Sequence, residues 1–459
     1  MTVQSQKRYG TGFEKCGGRN VMGVVNIFDM LHPPIKLKPP IRMFEAFSGV
    51  GTQAMALKRI TNDYEIVGYS EIDKYAIQSY HAIHGDVKPY GDITKMKEIP
   101  PCDIFTWSFP CTDLSKAGKR KGMNGNTRSG LVYEVLRLVR DTKDKPKVLI
   151  MENVPDLIQE KFVRQFSEIQ LELESYGYMN YVEVLNAKDF GVAQNRNRVF
   201  MVSVLGEYSY SFPRYKFLDK RLKDYLEDEV DEKYYLNENF IDQMIKEVVN
   251  YNRKDKFIDG LTDGNKVSRT IATKLDRPES NYVLEPYIID THSSDRFKRQ
   301  PQSKISPTII TDGRFKVVEP YIAIPEATTK GYAEAHDGDG VYINRPHQKR
   351  GVVQKGMIQT IKTSGNDIGI VEKVKTIVAN LQSKNYIQVI DGKTYIVGSD
   401  GVTLFRIRKL TPREALRLMD VSETDIDIIL SQVSDTQAYK LAGNSIVVNV
   451  LVEIFRKLF

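Results

Sequence analysis

Residues 41–205 predict an α/β fold, a mainly parallel sheet with helices on both faces, and three observations carry that expectation. Short apolar runs alternate with amphipathic stretches, and the connections between them are short. Such alternation buries a parallel sheet between helical layers. The third observation is the turn after the first apolar run, Phe47-Ser48-Gly49-Val50-Gly51-Thr52-Gln53-Ala54, of the form G-x-G-x-x-A. Glycines there let backbone approach a ligand closely.

In chain order, Ile41 to Phe47 reads as a strand, Thr52 to Ile60 as a helix, Glu65 to Ser70 as a strand and Asp73 to His84 as a helix. Asp103 to Trp107 is a short buried strand, followed by a long loop and the amphipathic run Leu131 to Val139. Lys147 to Met151 is apolar again, Phe162 to Tyr176 is helical, and Arg198 to Leu205 is a late strand. In such sheets ligands gather beyond the carboxyl ends of the strands.

The flanking regions differ in character. Residues 1–40 read as an N-terminal extension whose Pro33-Pro34 and Pro39-Pro40 pairs favour an extended spacer. Over 206–403, Tyr, Asp, Lys and Thr dominate and Gly and Pro recur, which predicts a smaller, irregular β-rich domain. A weak echo recurs within it at Ser268-Arg269-Thr270-Ile271, Ser306-Pro307-Thr308-Ile309 and Ile358-Gln359-Thr360-Ile361. Over 404–459 helical periodicity returns, in Pro412 to Met419 and Ser445 to Leu458.

Composition bounds the function classes. A chain of 459 residues predicts two domains, and 41% hydrophobic with 27% charged residues suits an ordinary globular protein. No stretch approaches the ~20 apolar residues of a membrane span. The opening Met1-Thr2-Val3-Gln4-Ser5-Gln6-Lys7-Arg8 has no apolar run behind it, so a cytoplasmic setting is expected. The three cysteines, Cys16, Cys102 and Cys111, lack paired metal-ligand spacing, which argues against disulfides and a structural metal. A net charge of +7 is compatible with a nucleic-acid partner without demonstrating one.

The most informative residue is Cys111, in Ser108-Phe109-Pro110-Cys111-Thr112-Asp113-Leu114-Ser115 at the mouth of a strand. A thiol there, ahead of a loop carrying Lys116, Lys119, Arg120, Lys121 and Arg128, is placed to react as a thiolate. Glu152, in Met151-Glu152-Asn153-Val154-Pro155, should emerge on the same edge and could act as an acid. In Gln194-Asn195-Arg196-Asn197-Arg198, the i, i+2 spacing would point both arginines to one side of an extended segment. Glu71, after the second strand, is a ribose-binding candidate, and Asp92 is either an adenine-binding acid or a turn cap. The glycine turn alone does not separate a dinucleotide from an adenosylmethionine.

Together these runs resemble the DNA cytosine-5 methyltransferase family. The similarity lies in Phe44-Glu45-Ala46-Phe47-Ser48-Gly49-Val50-Gly51, Glu71-Ile72-Asp73-Lys74-Tyr75-Ala76, Gly91-Asp92-Ile93-Thr94 and Ser108-Phe109-Pro110-Cys111. It continues in Thr127-Arg128-Ser129-Gly130-Leu131, Glu152-Asn153-Val154 and Gln194-Asn195-Arg196-Asn197-Arg198. It ends in Arg408-Lys409-Leu410-Thr411-Pro412-Arg413-Glu414-Ala415 and Ala442-Gly443-Asn444-Ser445.

The resemblance implies a Rossmann-like, class I S-adenosylmethionine-dependent catalytic domain over 41–205, a target-recognition domain over 206–403, and a return to the catalytic domain over 404–459. It implies a cytosine extruded from double-stranded DNA, attacked at C6 by Cys111, with Glu152 on N3 and the amino group, Arg196 on O2, and Arg198 in the same catalytic group. Phe47, Gly49, Val50, Gly51, Glu71, Ile72, Asp92, Ile93, Pro110, Asn444 and Ser445 are then expected around S-adenosyl-L-methionine, and Ser115, Lys119, Arg128 and Gln194 against DNA. No metal is implied; the resemblance to restriction–modification and phage enzymes offers a cognate restriction endonuclease acting on the same site as a candidate partner, and a monomer is expected. Ser48, Thr52 and Thr112 depart from the common family residues. Thr270, Thr308 and Thr360 compete for the threonine that family members place near the extruded base. Two alternatives stand beside this: a tRNA cytosine-5 methyltransferase, and a nicotinamide-dependent oxidoreductase resting on the glycine turn and Glu71.

Overall fold

In the computed structural model the described residues are 32–110, 128–215, 219–239, 288–290, 315–317, 321–328, 332–343, 351–361, 363, 368–373, 387–390, 392–397 and 404–459. The first sheet is built from β1 (Ile41–Ala46), β2 (Tyr64–Ser70), β3 (Ile104–Trp107), β4 (Val148–Asn153), β5 (Tyr178–Asn186) and β7 (Asn197–Leu205); the two-residue β6 is Gln194–Asn195. Their order is β2-β1-β3-β4-β7-β5. The pairs from β2 to β4 are parallel, whereas β7 runs antiparallel to both β4 and β5. The mainly parallel sheet expected from the sequence therefore carries an antiparallel margin. The sequence reading had left out β5, which pairs Asn186 with Asn197 across a connection too short for a parallel crossover.

Period-two alternation assigns the sheet's two faces. Ile104, Val148, Ile150, Phe200 and Val202 enter one apolar cluster, and Phe105, Trp107, Leu149, Met151 and Met201 enter another. With both faces covered, β3 and β4 are buried along their whole length, which explains their nearly unbroken apolar text. Helices α1 (Thr52–Lys58) and α2 (Lys74–His84) follow β1 and β2; α3 (Val132–Asp141) and α4 (Val163–Ser175) follow β3 and β4. Asp73 caps α2 by accepting from the Tyr75 and Ala76 amides.

Further along, β8 (Ile288–Asp290) pairs with β9 (Phe315–Val317), and β10 (Ile322–Pro325) with β11 (Tyr332–Ala335). A second six-stranded sheet is antiparallel throughout. It contains β12 (Gly340–Tyr342), β13 (Val353–Gln354), β15 (Ile368–Lys373), β16 (Ile387–Ile390), β17 (Lys393–Val397) and β18 (Leu404–Arg408). The short β14 (Ile358–Gln359) leaves that sheet to pair with β6. Since β18 belongs to the second sheet, the β-rich part extends past position 403.

The C-terminal segment forms α5 (Pro412–Arg417), α6 (Glu423–Gln432), α7 (Asp435–Asn444) and α8 (Val448–Arg456). A Thr411–Glu414 capping box and Pro412 at the first position start α5. The stretch Asp435–Arg456 passes a test of length and composition for crossing a membrane, but 67% of its 18-residue apolar window is buried inside the molecule. It is two core helices; α8 packs on α1. The proline-flanked lead-in is extended, but its Ile35 and Leu37 are buried in the core, so its end is no free spacer.

Candidate active site

Parallel pairing of β3 with β4 sets Trp107 beside Met151, so the next residues, Ser108 and Glu152, meet at the carboxyl edge. On the other side of β4, Glu152 is in register with Phe200 of β7, which brings Arg198 within reach. The Glu152 side chain is only 7% exposed, and both of its oxygens are engaged. Oε1 lies 2.9 Å from Arg198 Nε, and Oε2 accepts from Ser108 Oγ at 2.6 Å. The ends of β3 and β4 are tied further by Asn153 Nδ2, which donates to the Phe109 carbonyl at 3.0 Å. Ser129 Oγ donates to the Pro110 carbonyl at 2.7 Å, which fixes the residue before Cys111.

Arg196 and Arg198 line one small cleft with Leu185, Phe200 and Ile446, as the i, i+2 spacing suggested. Their duties differ. Arg196 is 3% exposed, and its guanidinium donates to the carbonyls of Ile361, Gly443 and Ser445. It joins the β-rich part to the end of α7, and it is Arg198 that stands beside Glu152. Gln194, expected against DNA, is instead fully buried. Its Nε2 donates to the Leu418 carbonyl at 2.7 Å and its Oε1 accepts from the Ile361 amide at 3.2 Å, so its hydrogen-bonding groups are spent on packing. Of the competing threonines, Thr360 donates to the Asn195 carbonyl at 2.9 Å and so sits on the arginine-bearing segment.

The glycine turn lies on the same edge of the sheet. Phe47, Gly49 and Gly51 take left-handed conformations, with φ of 55°, 57° and 80°. A Cβ on Gly51 would fall 2.3 Å from His84 Nε2, so only glycine packs there; one on Gly49 would meet nothing within 4 Å. Glu71 holds the turn from outside, Oε2 accepting from the Gly49 amide at 3.0 Å and Oε1 from the Ile72 and Asp73 amides. His84 holds it from below, its Nε2 lying 3.0 Å from the Val50 carbonyl, and burial pushes that imidazole's pKa down. Beneath, the fully buried Glu45 accepts from the Ala54 amide and the Tyr80 hydroxyl; burial pushes its carboxyl up to about 7.

Other expected residues are less engaged. Ile72 is 74% exposed. Asp92 caps the 3-10 turn Ile93–Lys95; the Thr94 amide, then the Thr94 hydroxyl, hold its carboxyl below the usual range. Ile93 is buried; Val50 is buried under the turn. Asn444 is exposed at the end of α7, while Ser445 is buried with its hydroxyl donating to the Leu441 carbonyl at 2.8 Å. Lys440 of α7 pairs with Asp73, which brings this end of the chain against α2. Cys111, Ser115, Lys119, Thr270 and Thr308 lie outside the described residues, as does the side chain of Arg128.

The sequence reading gave no role to Ser108, His84 or Asn153. Ser108 and Asn153 were within matched runs, and only the strand register shows that they meet Glu152 and Phe109. No local signal marked His84, whose partner lies 34 residues away.

A family model described as C-5 cytosine-specific DNA methylase matches residues 41–459. The type II methyltransferase M.SsoII of Shigella sonnei is 32% identical, covering 70% of this chain and 86% of its own. The orphan methyltransferase M.Rho11sI of Bacillus phage rho11s is 29% identical over 91% of this chain and 97% of its own. For the type II methyltransferase M2.ScrFI of Lactococcus lactis subsp. cremoris the identity is 28%, with 91% and 99% covered. Among solved structures, the Entamoeba histolytica methyltransferase EhMeth aligns with a TM-score of 0.53 at 16% identity, covering 92% of this chain and 98% of that one. The S. pombe Dnmt2 methyltransferase aligns at 0.50 and 16%, covering 91% and 98%. Both support the fold.

Proposed function

We propose a mechanism for a chain that belongs to the C-5 cytosine-specific DNA methylase family and is a DNA cytosine-5 methyltransferase: covalent catalysis by Cys111 on a cytosine extruded from duplex DNA. The observation that carries it is the Glu152 carboxylate, held between Ser108 and Arg198 at the strand edge where Pro110 leads into Cys111.

The Cys111 thiolate forms a bond from sulfur to C6, and the C5–C6 π electrons move toward N3 and O2. Glu152, carrying a proton, gives it to N3 as that charge develops, while Arg198, rather than Arg196, faces the O2 carbonyl oxygen. C5 is then electron-rich enough to accept a methyl cation equivalent. Once C5 is methylated, a base takes its proton, the electron pair restores the C5–C6 bond, and the thiolate leaves. Glu152 ends the cycle by recovering the N3 proton.

The turn fits S-adenosyl-L-methionine as methyl donor. Space beside Gly49 is open, exposed Ile72 offers an apolar platform, and Glu71 Oε2, which accepts from one amide, retains a lone pair for a ribose hydroxyl. Asp92 remains half-exposed and negatively disposed for an exocyclic amine. The bound donor supplies an electrophilic methyl on a sulfonium. Phe47, Val50, Gly51, Ile93, Pro110, Asn444 and Ser445 complete the proposed surround. Thr360 is the proposed threonine beside the extruded base, from its bond to Asn195.

Incubation with donor labelled in the methyl group, with unmethylated duplex DNA in one arm and tRNA in the other, tests this. Label in DNA that bisulfite sequencing places at cytosine C5 is expected. Label in tRNA alone overturns the DNA substrate, and label on an exocyclic nitrogen overturns the chemistry.

A further inference from the structure

Glu152 stands on the central strand of three, and each neighbouring strand sends it one donor. From β7 comes Arg198, a charged partner at 2.9 Å; from β3 comes Ser108, an uncharged one at 2.6 Å. Arg196, the other cation lining the adjacent cleft, is directed to carbonyls of Ile361, Gly443 and Ser445. A hydroxyl oxygen 2.6 Å from the carboxyl oxygen is at close hydrogen-bonding distance. Ser108 Oγ also lies 3.1 Å from the main-chain carbonyl of Glu152. It has one proton, so it can serve only one of these acceptors at a time. The shorter contact is the one to the side chain, so the proton is assigned to the carboxyl group.

We propose that Ser108 is a positioning residue for methyl transfer: its hydroxyl fixes the rotation of the Glu152 carboxyl group, which Arg198 holds from the other side. Ser108 keeps its own proton throughout; the proton delivered to N3 is that of Glu152. The inference rests on the role proposed above for Glu152. Without that hydroxyl one carboxyl oxygen loses its donor, so the group is free to rotate and presents its proton to N3 in fewer orientations.

The test compares the parent chain with Ser108→Ala and Ser108→Thr, measuring kcat and KM on duplex DNA and S-adenosylhomocysteine binding by calorimetry. Ser108→Ala is expected to bind S-adenosylhomocysteine like the parent, to keep the parental KM, and to lose about tenfold in kcat from the loosened carboxyl. Ser108→Thr, which keeps the hydroxyl, is expected to restore kcat. A parental kcat in Ser108→Ala, or an equal loss in Ser108→Thr, overturns the proposal. Should Ser108→Ala lose S-adenosylhomocysteine binding, Ser108→Cys replaces it, since a thiol donates weakly, with the same loss expected and a parental kcat again overturning. A parent chain that methylates no cytosine overturns the Glu152 role first, and this inference with it.

Discussion

Arg198 Nε lies 2.9 Å from Glu152 Oε1, across the antiparallel pair of β4 and β7. Both side chains are largely buried, so removing the cation leaves a carboxylate without its charged partner in a poorly solvated place. Arg198→Ala is expected to lower kcat about a hundredfold, the scale of losing one electrostatic donor at a reacting centre. S-adenosylhomocysteine affinity should stay near that of the parent, measured by calorimetry. A variant with parental kcat would separate Arg198 from the chemistry.

Arg196 predicts the opposite pattern. Its charged donors reach three main-chain carbonyls from two distant parts of the chain. Arg196→Ala should cost about 3 kcal/mol of unfolding free energy in urea, since bonds from a charged donor each contribute roughly 1.5–3 kcal/mol and the losses overlap. If stability were unchanged and only kcat fell, Arg196 would belong with the base after all.

The glycine turn gives a graded pair. Gly49→Ala has room for its Cβ and meets only the strain of a φ of 57°, about 1–2 kcal/mol. Gly51→Ala adds a clash with His84 and Tyr80, so it should be the more damaging to stability and to S-adenosylhomocysteine affinity. His84→Ala, which releases the Val50 carbonyl and removes the ring packed on Tyr80, should weaken that affinity about tenfold while kcat at saturating donor changes little. Equal defects in the two glycine variants would show that the turn is not held as described.

Glu45 makes stability depend on pH. Its carboxyl is raised by burial from 4.5 to about 7, so between these values the folded chain binds more protons than the unfolded one. The stabilisation is complete below about pH 4.5 and is lost as pH rises through about 7, with an upper bound of about 3 kcal/mol. Glu45→Gln should flatten that slope in urea unfolding at pH 5 and pH 8. An unchanged slope would place the titration elsewhere.

The strands and helices flanking the turn were legible because both faces of the sheet are covered, so apolar text and strand coincide. β5 was not, because its burial is mixed and Glu183 and Val184 face outward. α6 and α7 escaped notice although Ser422 and Ser434 stand at their N-caps, since their apolar periodicity is weak. Glu152 and the arginines stand out in the sequence as candidates, but spacing alone does not tell Arg196 from Arg198. That distinction depends on Ile361, Gly443 and Ser445, residues 165 to 249 positions away. Gln194 was misassigned for the same reason: a polar residue in an arginine-rich run looks solvent-facing until the residues that enclose it are known.

The most direct test of the covalent step uses duplex DNA amplified with 5-fluorocytosine in place of cytosine, so that a fluorine occupies the position of the departing C5 proton. Incubated with S-adenosylmethionine, the parent chain is expected to give a protein–DNA band that survives SDS, and Cys111→Ser none. A parent chain that methylates ordinary cytosine yet leaves no such band, or a band that persists in Cys111→Ser, would contradict attack by this sulfur.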